Sequence, residues 1–118
     1  VNRVLLCAGK VYYDLLVARD ERKITDTALV RLEQLYPLPV EQLKAELARY
    51  PNAKDFVWVQ EEPANQGAWT YIAMNLLEEL PDLRIRRVSR PEAAAPATGS
   101  TKVHDAEQAE LIEAALAR

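Results

Sequence analysis

Apolar positions along the chain follow two rhythms. Residues 3–8, RVLLCA, form a nearly continuous apolar run closed by Gly9. That is the pattern of a strand buried on both faces. Residues 10–22 then turn helical, with Val11, Tyr12, Leu15, Leu16 and Arg19 on one face and Arg19, Arg22 and Lys23 near the end. TALVRL at 27–32 reads as a second strand. EQLYPLP follows, where Pro37 and Pro39 break regular pairing, and Pro39 can open a helix. That helix places Val40, Leu43, Leu47 and Tyr50 on one side. A turn at 50–55 leads to a third strand at 56–60. Residues 68–80 give the clearest amphipathic helix, with Trp69, Ile72, Ala73, Leu76, Leu77 and Leu80 as its apolar stripe and Pro81 as its stop. LRIRRVSR at 83–90 alternates with a slip, which suits an edge strand. A small-residue linker at 91–100 precedes a helix at 102–117. Gln108, Leu111, Ile112, Ala115 and Leu116 form its buried stripe, and Ser100 or Thr101 its N-cap.

Strands therefore alternate with helices. The order predicts a three-layer α/β domain, a mostly parallel sheet with helices on both faces joined by right-handed crossovers. No internal repeat is visible. The 118 residues suit a single domain. At 49% hydrophobic and 28% charged, the chain can bury a core.

Charge and cysteine usage narrow the function classes. A net charge of −3 argues against a nucleic-acid surface or a polybasic membrane anchor. No apolar run approaches the length of a bilayer span. One cysteine, Cys7, and one histidine, His104, exclude a disulfide framework and a Cys/His zinc site. A reducing, cytoplasmic setting is the simplest expectation. The Val-Asn-Arg start, with a strand at once behind it, suggests a fragment of a longer chain.

Chemistry has few candidates. In WVQEEPANQGAW, residues 58–69, the pair Glu61 and Glu62 is expected just past the third strand and ahead of a helix start. Open α/β folds place ligand sites there, and a helix N-terminus favours a carboxylate by roughly 0.3–1 kcal/mol. Adjacent strand residues point to opposite faces, however, so the pair would not converge on one substrate. A structural or interface role is favoured over catalysis. Gly9-Lys10 follows a strand and opens a helix, but it lacks the further glycines of a phosphate loop and reads as a tight turn. Cys7 reads as a small buried hydrophobe. His104 reads as a packing or hydrogen-bonding residue, with general acid/base work as the lesser reading. Arg84, Arg86, Arg87 and Arg90 are the only basic cluster. A solvated edge is the default there, with an acidic partner or a phosphate as the alternative. No nucleophile–base pair, metal set or complete phosphate loop is found.

Five stretches, taken in order, carry a resemblance. VLLCAGKVYYDLL (4–16), ALVRLEQLYPLP (28–39), FVWVQEEPANQGAW (56–69), RRVSRPEAAAPATGS (86–100) and KVHDAEQAEL (102–111) closely resemble the C-terminal domain of the 2-oxoglutarate dehydrogenase family. This is the thiamine-diphosphate-dependent decarboxylating component. The looser pattern of strand, Glu-Glu, Gly and helix is shared with transketolase and pyruvate or branched-chain dehydrogenases, which remain rivals. So does a stand-alone interaction module without catalysis. The resemblance implies a transketolase C-terminal-like domain with a mixed sheet. It implies a homodimeric parent that holds thiamine diphosphate and Mg2+ in upstream domains, and no cofactor or catalytic residue on this chain. It implies oxidative decarboxylation of 2-oxoglutarate in the tricarboxylic acid cycle. Succinyl would pass to the lipoyl arm of the dihydrolipoyl succinyltransferase component, with dihydrolipoyl dehydrogenase as the third partner. The 58–69 corner becomes a docking element, with Glu61, Glu62 and Trp69 as interface candidates. An effector edge for acyl-CoA or adenine nucleotides would begin at Gln34. Glu41 and Gln42 stand where the effector-binding members carry a basic pair, so no response to acetyl-CoA is expected.

Overall fold

The structure, a computed structural model, describes residues 1–90 and 101–117, with the backbone alone at 101–104. The elements run β1 (Arg3–Cys7), α1 (Val11–Glu21), β2 (Thr27–Arg31), α2 (Val40–Leu47), β3 (Asp55–Pro63), α3 (Trp69–Glu79), β4 (Ile85–Arg90) and α4 (Thr101–Leu116). The linker expected at 91–100, with the proposed cap Ser100, lies outside the described residues. The strands form one sheet in the order β2-β1-β3-β4. All three pairings are parallel, so the described sheet has no antiparallel member where the resemblance implied a mixed one.

The strand period of two sorts the apolar residues into two cores. Leu5 and Cys7 of β1, with Val57 and Val59 of β3, face Val11 and Leu15 of α1 and Leu111, Ile112, Ala115 and Leu116 of α4. Val4 and Leu6, with Trp58, face Leu43 of α2 and Ile72 and Leu76 of α3. Helices thus cover both faces, and the central strands have no solvent side. This is why β1 reads as an unbroken apolar run rather than an alternation. β4 is an edge strand, as its pattern predicts.

Helix α1 ends in a backbone motif that sequence reading did not anticipate. The Ile24 N–H bonds the Arg19 carbonyl at 3.1 Å and the Lys23 N–H bonds the Asp20 carbonyl at 3.1 Å. Lys23 holds φ at +54° in the left-handed region usually taken by glycine. Ile24 then packs on the first core. At the amino ends of the strands, Asp55 joins Arg3 at 2.7 Å and Arg86 at 2.8 Å. Arg3 also donates to the Ala115 and Ala117 carbonyls, which lack helical partners at the end of α4. One carboxylate therefore links β1, β3, β4 and, through Arg3, the last helix. None of the described helices is long and apolar enough to cross a membrane.

Candidate functional site

The corner after Trp58 is built differently from its sequence expectation. β3 runs on to Pro63, so Glu61 and Glu62 lie inside the strand and not beyond it. The extension is possible because the register against β4 slips: Val59 faces Val88, while Pro63 faces Arg90. Four steps along β3 match two along β4, and the surplus bulges outward.

The two glutamates part company, as strand alternation requires. Glu61 is half-buried on the α1/α4 side and accepts from Gln108 Nε2 at 2.9 Å. The same amide nitrogen donates to Asp14 at 3.0 Å, and Gln108 Oε1 accepts from Arg90 at 2.9 Å. Glu61 is therefore held by its own chain. Glu62 is exposed. Trp69 opens α3 half-buried and packs on the second core. The structure does not gather Glu61, Glu62 and Trp69 into one patch.

Sequence reasoning missed Gln60, which is 3% exposed. A polar residue in phase with Phe56 and Trp58, on the buried side of a strand, was the available signal. Its side-chain oxygen accepts from Trp58 Nε1 at 2.9 Å and from the Trp69 backbone N–H at 3.1 Å. Its nitrogen faces the carbonyls of Glu62, Pro63 and Gln66 at 3.2, 2.9 and 2.8 Å.

Beyond the corner, α3 departs from its predicted stripe. Ile72 and Leu76 are buried, but Leu77 is 70% exposed and Met74 61%. Sheet and α2 cover only part of the helix. Tyr36, 65% exposed, lays its ring on that of Tyr71, with centroids 4.3 Å apart. Large apolar groups stand in solvent on α1 as well, where Tyr13 is 53% and Val17 55% exposed.

The remaining candidates resolve into structural parts. Gly9 takes φ +79° in the tight turn between β1 and α1. Cys7 is fully buried, and desolvation pushes its thiol up to about 12 despite the opposing positive charge of Arg31. It is no thiolate at neutral pH. Of the basic cluster, Arg86 is bound to Asp55 and Arg90 to Gln108, while Arg84 and Arg87 are exposed. His104 lies in the first turn of α4, where only the backbone is described. Gln34 lines an open cleft of about 480 Å³ beside β2 and α2, with Arg31, Glu33, Gln42 and Glu46. Two carboxylates against one guanidinium give phosphates no net attraction. Among the described residues no three His, Cys, Asp or Glu side chains gather to hold a metal ion.

A parallel three-layer α/β domain is defined, with apolar residues exposed on both α1 and α3 and no catalytic constellation among the described residues. The chain matches the 2-oxoglutarate dehydrogenase C-terminal family over residues 1–116, and it belongs to that family. It is 48% identical over its whole length to a 2-oxoglutarate dehydrogenase E1 component of Cupriavidus necator, of which it spans 12%. It is 50% identical, over 97% of its length, to a multifunctional 2-oxoglutarate metabolism enzyme of Mycolicibacterium vanbaalenii, of which it spans 9%. An enzyme of the same name from a Mycobacterium species is 48% identical over 99% of the chain. The chain thus spans about a tenth of the length of the curated relatives it matches.

Proposed function

We propose that the chain serves as the C-terminal assembly domain of a thiamine-diphosphate-dependent 2-oxoglutarate dehydrogenase and does no chemistry by itself. The parent enzyme would decarboxylate 2-oxoglutarate in the cytoplasm, as a step of the tricarboxylic acid cycle. It would pass succinyl to the lipoyl groups of the succinyltransferase component, alongside dihydrolipoyl dehydrogenase. Thiamine diphosphate and Mg2+ would sit in upstream domains. This domain would pack on those domains and help join two copies of the parent into a homodimer.

One observation carries the assembly reading: the exposed apolar face of α3, with Met74 61% and Leu77 70% exposed. A leucine moved from water into a packed interface contributes about 1.5–3 kcal/mol. Leu77→Glu forfeits that and buries a charge, so subunit association of the full-length parent should weaken by at least ~10-fold. The same change touches no core contact, so the isolated domain should melt within about 2 °C of the wild type. Sedimentation of the full-length protein across a concentration series reads the first quantity. An undisturbed dimer would overturn the assembly reading.

A further inference from the structure

We draw no further inference here: the strongest candidate, the cleft of about 480 Å³ between the outer edge of β2 at residues 29–33 and Gln42, Leu43 and Glu46 of α2, carries nothing, because nothing in the structure shows what covers it.

Discussion

Asp55→Asn tests the ion-pair knot at the amino end of the sheet. The Asp55 carboxylate takes Arg3 Nε at 2.7 Å and both Nε and an η nitrogen of Arg86 at 2.8 and 2.9 Å. The side chains are 33% exposed for Asp55, 18% for Arg3 and 48% for Arg86. Solvent screening is substantial at Arg86, so that arm contributes about 0.5 kcal/mol despite its two-point geometry. The Arg3 arm is drier and contributes about 1 kcal/mol as a charge-assisted bond. Asparagine keeps the shape but loses the charge and turns an N–H toward an arginine. The expected loss is about 1.5 kcal/mol. At roughly 2.1 cal/mol/K per residue this lowers the melting temperature of the 118-residue chain by ~6 °C.

The pH dependence gives the same argument a sign. Hydrogen bonding from Arg86, with the charges of Arg86 and Arg3, holds the Asp55 carboxyl below the usual carboxylate range against a smaller desolvation effect. A lowered folded pKa contributes stability above the unfolded value of about 3.9 and loses it as pH falls through the folded one. The gap between wild type and Asp55→Asn should therefore be full near pH 7 and close toward about pH 2. Urea unfolding followed by tryptophan fluorescence measures it, since Trp58 is 1% exposed in the native state. A gap below ~0.3 kcal/mol near neutrality, or one that persists in acid, would refute the reasoning.

Two further outcomes follow from local geometry. Lys23→Gly should raise stability by about 0.5–1 kcal/mol, because a left-handed residue at a helix end carries no Cβ penalty when it is glycine. Calorimetry showing a lower melting temperature would contradict that. The Cys7 thiol, pushed up to about 12 by burial, should react with a thiol reagent at mildly alkaline pH only as fast as the domain opens, and at once in urea. Immediate modification of the folded protein would show that the first core is not closed over it.

Periodicity made most of the fold legible. Strands buried on both faces and helices with one apolar side leave unambiguous patterns, and every element lies within a few residues of its expected place. The errors arose where tertiary contacts decide. β3 outran its apolar run because a bulge against β4 carried pairing on to Pro63. Leu77 sits at helical spacing with Ala73 and Leu80, yet spacing does not say how wide the covering surface is. The two glutamates drew attention as a charged pair, while the residue that organises the corner is the neutral Gln60 beside them. Its importance comes from five partners within reach, and no single residue type announces that. The family resemblance was carried by the motifs themselves and agrees with the match over residues 1–116.

The most direct test of the central claim is immunodepletion with antibodies raised against this chain. In a lysate of cells that make it, the native antigen should be many times larger than the 118-residue domain. Removing that antigen should abolish thiamine-diphosphate-dependent oxidation of 2-oxoglutarate. A small antigen whose removal leaves that activity intact would contradict the account and identify a free-standing module instead.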